Sequence, residues 1–108
     1  KADLSKPVRI WAGVGASQKL FNENNRPKNI RVHLLFTDQT SAAQTGMAYV
    51  GIKTVAKREA ELKDLNGYQP LPLPQFTLKE GNYFIAVEIL SVYSGTKYKD
   101  TCITEIGN

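Results

Sequence analysis

The chain has 108 residues, of which 42% are hydrophobic and 22% are charged, which is typical of one globular domain with a single core. Its formal net charge is +4, but the lysines and arginines are scattered, which argues against a nucleic-acid-binding face. No apolar run is long enough to cross a bilayer. We therefore predict a single domain over residues 1–108, with a loose N-terminal segment at residues 1–7.

The first third of the chain is predicted to form short elements separated by polar turns. Residues 8–11 alternate as a first strand, and residues 19–22 are expected to make a helical turn capped by Ser17. Residues 30–37 are the clearest strand, because apolar side chains occupy every second position on one face. His33 lies on the opposite face, where we expect it to be partly exposed and non-catalytic.

The middle of the chain is less uniform. We predict a polar loop over residues 38–46 and a second alternating strand over residues 47–56. Residues 57–65 contain good helix formers, yet they fit a solvated strand equally well. In residues 69–74 leucines alternate with prolines, which cannot donate to a ladder, so this stretch is an edge strand or an extended arm.

The last quarter has the strongest β character. Residues 83–92 and 101–106 read as two strands joined by the polar turn 94–96, and we expect this pair to form the centre of a sheet. Cys102 is the single cysteine, which excludes an internal disulfide and a cysteine-based zinc cluster. We expect its thiol to be buried in the last strand. Many short strands and turns favour an all-β sandwich or barrel.

No arrangement of residues indicates catalysis. The sole histidine, His33, has no serine or cysteine that the sequence places beside it, and no spacing singles out a pair of carboxylates. Gly13-Val14-Gly15 lacks the third glycine and the strand–helix setting of a phosphate-binding loop. We therefore predict that the chain is not an enzyme and has no catalytic or metal site.

Several side chains beside loops have two interpretations. Trp11, Tyr93 and Tyr98 either pack in the protein or stack on the apolar face of a sugar ring. Arg26 is either a solvated turn residue or a bidentate donor to hydroxyl or carboxylate groups. Asp100 either makes a local turn hydrogen bond or contacts a ligand.

Specific stretches resemble a known family. The closing stretch SVYSGTKYKDTCITEI at residues 91–106 is similar to the end of the NADase-type glycan-binding domain, a discoidin-like module related to coagulation-factor type C domains. IWAG at residues 10–13, NRPK at residues 25–28, and LKDL at residues 62–65 resemble its earlier parts in the same order. The resemblance runs from about residue 8 to residue 106.

The resemblance implies a jelly-roll β-sandwich of the galactose-binding type, secreted or at the cell surface or periplasm. It implies a non-catalytic role in binding a glycan, or in anchoring an attached or associated enzyme domain such as a bacterial NAD glycohydrolase. It also implies that residues 57–65 end in a strand. Ligand loops in related modules cluster at one end of the sandwich, so the expected ligand-binding residues are Trp11, Arg26, Tyr93, Tyr98 and Asp100.

The sequence departs from the family in two ways. Related modules begin with further strands and an acidic, tryptophan-containing loop, which are missing here. This leaves open a fragment of a longer domain or a sheet completed by another chain. Relatives often hold a structural calcium with that loop and a glutamate of the last strand. Only Glu105 matches, which argues against calcium, so we expect no cofactor. Two further readings stay open: a protein-interaction module that binds no sugar, and an NAD-cleaving enzyme.

Overall fold

The computed structural model describes residues 2–43 and 46–108. In this part of the chain, short strands and one short helix follow each other in the order β1 (Arg9–Ala12), α1 (Gln18–Glu23), β2 (Arg26–Pro27), β3 (Asn29–Thr37), β4 (Gln39–Ala43), β5 (Gly46–Val50), β6 (Lys53–Glu61), β7 (Tyr68–Pro70), β8 (Asn82–Ile89), β9 (Val92–Tyr93) and β10 (Ile103–Gly107).

Two three-stranded antiparallel sheets enclose the core. The front sheet has the strand order β10-β1-β7 and the back sheet has the order β6-β3-β8. Alternate residues of both sheets and of the adjoining segments pack together between them: Val8, Ile10, Ala12, Ile30, Val32, Leu62 and Leu71. Each fully buried aliphatic side chain contributes about 1.5–3 kcal/mol of hydrophobic stabilisation. The predicted all-β sandwich is confirmed.

Strand β3 shows why the alternating pattern was informative. Ile30, Val32 and Leu34 are completely buried, whereas Arg31 and His33 lie half-buried on the outer face. Because β3 is the central strand of the back sheet, the side chains on one of its faces contact the core, and those on the other face contact side chains of β6 and β8. The predicted strand and the partly exposed His33 are both confirmed.

The predicted helical turn is also present as α1. The Oγ of Ser17 accepts a hydrogen bond from the backbone N–H of Leu20 at 3.1 Å, so Ser17 is the N-cap that we expected. Phe21 is the buried residue of this helix. The helix ends at Asn24, whose extended backbone leads directly into β2.

The prediction of a loop over residues 38–46 is wrong. Strands β4 and β5 form an antiparallel hairpin there, while Gln44 and Thr45 lie outside the described residues. The predicted single strand over residues 47–56 is divided into β5 and β6. Gly51 lies at the break with a φ of +66°, a conformation that glycine adopts without steric cost. Polar composition concealed the hairpin, because residues 39–42 and 46–50 are solvent-exposed.

Residues 57–61 form a strand and not a helix. They belong to β6, which pairs with β3 along its length, so the ladder overrides the local helix propensity. The family resemblance implied that residues 57–65 end in a strand; a strand covers residues 57–61, whereas residues 62–65 lie beyond its end. Downstream, β7 is an edge strand of the front sheet, and Leu71 N–H donates to the Val8 carbonyl oxygen at 3.0 Å. The prolines of this segment therefore lie at and beyond an edge strand, as expected.

The largest correction concerns the final two strands. We predicted that residues 83–92 and 101–106 pair with each other, but β8 pairs with β3 and β10 pairs with β1 in the other sheet. The chain crosses between the layers through β9, which pairs with β2. Alternation identifies strands but carries no information about their partners, and this is why the pairing was wrong.

The end of the chain departs from strict alternation as well. Ile103 pairs with Ala12 and Ile106 pairs with Ile10, so a register shift turns both isoleucines toward the core side. Cys102 lies just before β10 and is exposed, so the prediction of a buried thiol is wrong. The strand that was expected to bury it begins one residue later.

Candidate functional site

Two segments meet, residues 22–27, which run from the end of α1 through β2, and residues 94–101, and we call them the rim loops. Backbone hydrogen bonds join them directly: the N–H of Tyr98 donates to Glu23 O at 2.7 Å, and the N–H of Asn25 donates to Asp100 O at 3.0 Å. The Oδ1 of Asn25 also accepts from Gly95 N–H at 2.8 Å. The two loops therefore form one connected surface.

The Arg26 side chain connects the two rim loops through hydrogen bonds. Its Nε and Nη2 donate to the two carboxylate oxygens of Asp64 at 2.9 and 2.7 Å, a bidentate pair. Its Nη1 lies within 3.5 Å of three carbonyl oxygens, those of Asn22, Asn24 and Ser94. The side chain is 12% exposed, and pairing with Asp64 raises the pKa of Arg26 above its usual value. Its donors are thus directed at the protein.

Gly95 is required by the close approach of the two loops. A Cβ atom at this position would lie 2.4 Å from both the carbonyl carbon of Asn24 and the carbonyl oxygen of Glu23. Those atoms belong to the backbone and cannot rotate away, so any larger residue would push the loops apart.

Tyr93 lies beneath the same surface. It pairs with Arg26 in the β2–β9 ladder, and its hydroxyl donates to the Leu62 carbonyl oxygen at 2.7 Å. Burial of the ring, together with the nearby carboxylates of Glu61 and Asp64, raises the pKa of the Tyr93 phenol. Its contacts support the loops from within.

Tyr98 and Asp100 are the predicted residues that face solvent on the rim loops. Tyr98 is 42% exposed, and the ammonium of Lys97 lies 5.2 Å from the centre of its ring. Lys97 also lies 4.0 Å from a carboxylate oxygen of Glu23. The surface is therefore a shallow aromatic platform bordered by charges of both signs.

Trp11 lies on a different surface, which we call the front-face strip: Arg9, Trp11, Tyr68 and Glu105. The rings of Trp11 and Tyr68 meet edge to face with centres 5.1 Å apart, and the Arg9 guanidinium lies 4.5 Å from the Tyr68 ring centre. The Tyr68 hydroxyl donates to the Glu105 carboxylate, and this bond raises the pKa of the Tyr68 phenol. The Trp11 indole N–H donates to Asn66 Oδ1 at 3.0 Å.

The five predicted residues thus divide between the two surfaces. Arg26, Tyr93, Tyr98 and Asp100 come together at the rim loops, and Trp11 belongs to the front-face strip. No sequence pattern indicated that Asp64 contacts Arg26 or that Tyr68 contacts Trp11. Asp64 lies 38 positions from Arg26, and Tyr68 meets Trp11 only through the β1–β7 register. The sequence pattern that pointed to the front-face strip was the alternation in residues 8–11, which places Arg9 and Trp11 on the same face of the first strand.

The residues that the structure describes do not fit a calcium site of the kind that the family resemblance implies. Calcium takes six to eight oxygen ligands, several of them carboxylates. Among residues 2–43 and 46–108, no group of three or more histidine, cysteine, aspartate or glutamate side chains is placed to hold a metal ion. The Glu105 carboxylate, which matched the family's ligand, instead accepts the Tyr68 hydroxyl.

A further charged cluster lies on the outer face of the back sheet. Arg31 contacts the carboxylates of Glu59 and Glu88 at 2.7 and 3.0 Å, and His33 Nε2 lies 3.0 Å from the same Glu88 oxygen. The hydrogen bond from His33, supported by Arg31, lowers the pKa of Glu88. These are cross-strand pairs on three neighbouring strands, an arrangement that stabilises a sheet.

No helix in the described ranges is long and apolar enough to cross a membrane.

Comparison with known proteins identifies one match. The model of the family described as NAD glycohydrolase translocation F5/8 type C domain matches residues 4–107. No curated protein gives a significant match, and neither does any solved structure. The matched range includes both sheets, the rim loops and the front-face strip.

Proposed function

Since the chain belongs to the family of NAD glycohydrolase translocation F5/8 type C domains, we propose that it is a non-catalytic targeting module of a larger bacterial enzyme. In this proposal the enzyme is secreted, and the module brings it to its target through protein contacts. The observation that carries the proposal is the family match, which covers nearly the whole sandwich and names a translocation domain and not a catalytic one.

The rim loops are the proposed contact surface. Arg26 and Gly95 fix the backbone of both loops, so Tyr98 and Asp100 are presented without a large ordering cost on binding. Exposed aromatic residues with neighbouring charges are the side chains that most often dominate protein contacts.

A reporter experiment tests this role. The chain is fused to β-lactamase and applied to cultured mammalian cells, and the cell-bound reporter activity is measured. We expect binding above that of β-lactamase alone, and about a tenfold loss with Tyr98→Ala, the size typical of an aromatic hot spot. Tyr49→Ala removes a similarly exposed aromatic side chain from β5 and serves as the matched control.

Two outcomes would contradict the proposal. Binding of the fusion no better than that of the reporter alone would remove the targeting role, and full binding by Tyr98→Ala would remove the rim loops as its surface. Turnover of NAD by the purified chain alone would contradict the non-catalytic assignment.

A second candidate function is carbohydrate binding, and the exposed ring of Tyr98 favours it. An aromatic face can stack on the apolar face of a sugar while Asp100 accepts hydrogen bonds from hydroxyls. Such a shallow site binds one sugar in the millimolar to high-micromolar range, about 4–6 kcal/mol, so several copies would be needed for firm attachment.

A glycan array separates the two candidates. If the ligand is a sugar at the rim loops, Tyr98→Ala abolishes the array signal and Trp11→Ala leaves it unchanged. The opposite result would place the sugar on the front-face strip. Silence across a broad array, together with cell binding that survives removal of surface glycans, would leave only the protein-targeting role.

A further inference from the structure

Strands β8 and β10 face each other as free edges of the two sheets. Within residues 2–43 and 46–108, β8 pairs as a strand with β3 alone and β10 with β1 alone. Between these edges lies a groove of about 270 Å³, which we call the β8/β10 groove. Its walls include Ile85 of β8 and Ile106 of β10, and it reaches the core residue Val8.

The backbone of β8 is oriented to bind another strand. Just beyond β8, the N–H of Leu90 donates to Asn29 O at 2.8 Å. Leu90 and every second residue before it therefore direct their backbone N–H and C=O groups toward β3. In an antiparallel ladder the intervening residues point their N–H and C=O groups the other way. The carbonyl oxygen of Tyr83 does so, because it accepts from Ala2 N–H at 2.7 Å. By alternation, the backbone groups of Ile85, Val87 and Ile89 point away from β3, and Ile85 among them lines the groove.

The Ala2–Tyr83 hydrogen bond shows that this edge already accepts backbone from another segment. One residue of the N-terminal segment uses it at the Tyr83 end, and the edge continues for six more residues to Ile89. An unpaired row of this kind is a template for strand addition.

The side chains beside this edge are apolar and incompletely covered. Val87 pairs with the core residue Val32, and Ile106 pairs with the core residue Ile10, so both are directed to the core side. Nevertheless Ile106 is 37% exposed, and Ile89 is also 37% exposed. Side chains that belong to the core layer thus remain in contact with solvent, at the groove for Ile106 and farther along the β8 edge for Ile89.

We propose that the β8/β10 groove binds an extended segment of a partner polypeptide, which adds to β8 as a strand and places alternating apolar side chains between the two sheets. Neither a sugar nor a lipid would satisfy the row of peptide N–H and C=O groups. A second copy of this chain could also offer an edge strand, β6, β7, β8 or β10, and pairing of that kind is the competing outcome that the test distinguishes. The inference does not depend on which target the rim loops contact.

A tethered strand tests the proposal. A strand of alternating valine and threonine is joined ahead of Lys1 through a glycine–serine linker, which gives it a millimolar effective concentration at the groove. We expect the thermal midpoint to rise by about 5 °C, and hydrogen exchange at the amides of Ile85, Val87 and Ile89 to slow at least tenfold. The matched control carries the same linker and strand with proline at every second position.

Two substitutions test whether the stabilisation by the tethered strand arises at the β8 edge. Ile89→Lys places a charge on the core side of the β8 edge, where the added strand would pack, and should remove most of the gain. Ala86→Lys places the same charge on the outer face of the same strand and should leave the gain intact. If the tethered protein does not fold, the same strand is added as a labelled free peptide and its binding is followed by fluorescence anisotropy.

Three results would overturn the proposal. One is the absence of both stabilisation and amide protection with the tethered strand, or of binding by the free peptide at millimolar concentration. Another is an equal gain with the proline control. The third is a concentration-dependent dimer of the untethered chain that Ile89→Lys dissociates, which would assign the edge to a second copy.

Discussion

The rim loops and the β8/β10 groove differ in how their backbone polar groups are hydrogen-bonded. At the rim loops, backbone and guanidinium donors are directed inward, which leaves side chains such as Tyr98 to meet a partner. At the groove, backbone groups are directed outward beside apolar side chains. In our two proposals, the rim loops recognise a partner through side chains, and the β8/β10 groove recognises one through its peptide backbone.

Loss of Arg26 should be the most damaging change to the rim loops. Arg26→Ala removes the bidentate donor of the Asp64 carboxylate and a shared donor to three carbonyl oxygens, so we expect a loss of about 3 kcal/mol in the free energy of unfolding. Urea denaturation measures it. Asp64→Ala in the same background should add little, since the two side chains act as one unit. Independent, additive losses would contradict the pairing.

Gly95→Ala should come next, at about 2 kcal/mol, because its methyl group would overlap the backbone at Asn24 and Glu23. Gly67→Ala is the control, since a Cβ atom there would meet its nearest neighbour, Leu65, at 3.9 Å. Thermal unfolding of both variants measures the difference. Equal melting temperatures would show that the two rim loops are farther apart than described.

Tyr93→Phe should cost about 1 kcal/mol, because the Leu62 carbonyl oxygen loses its hydroxyl donor while the ring stays in place. Tyr98→Phe removes a hydroxyl from an exposed ring and should be neutral within error. Both are measured by urea denaturation. A larger loss from Tyr98→Phe than from Tyr93→Phe would reverse the roles assigned to the two tyrosines.

The pH dependence of stability tests the contacts that Glu88 makes on the outer face of β8. Its pKa is lowered in the folded state by His33 and Arg31, so its contribution to stability is present above the unfolded value near 4.5 and is lost as pH falls through the folded value. Glu88→Gln should therefore flatten the acid side of a plot of stability against pH and reduce stability slightly at neutral pH. An unchanged acid slope would contradict the contact.

Ile89→Lys should have the smallest effect, within about 0.5 kcal/mol, on the chain without a bound strand. Its side chain is 37% exposed, so a lysine can direct its charge into solvent. Val32→Lys, at a fully buried position in the same sheet, is the contrasting variant and should unfold the protein. A loss of more than 1 kcal/mol with Ile89→Lys would mean that this edge is already covered.

What the sequence predicted correctly is mostly local. The capped turn at α1 and the alternation of β3 depend on neighbouring residues, so both could be identified before any contact was known. The family resemblance extended this to the sandwich and to the strand at residues 57–61.

What it could not predict depends on distant partners. The assignment of β8 and β10 to separate sheets follows from their ladders with β3 and β1, and no pattern within residues 82–107 encodes those ladders. The candidate site shows the same limit. Arg26 was identified from its loop context as a donor, but the carboxylate that it contacts lies 38 residues away.

Amide hydrogen exchange along β8, measured by NMR on the chain alone, tests most directly whether this edge is open. The account predicts alternation: slow exchange at Phe84, Ala86 and Glu88, whose N–H groups point to β3, and fast exchange at Ile85, Val87 and Ile89. Uniformly slow exchange over these six amides would show that the edge is paired, and would contradict the account.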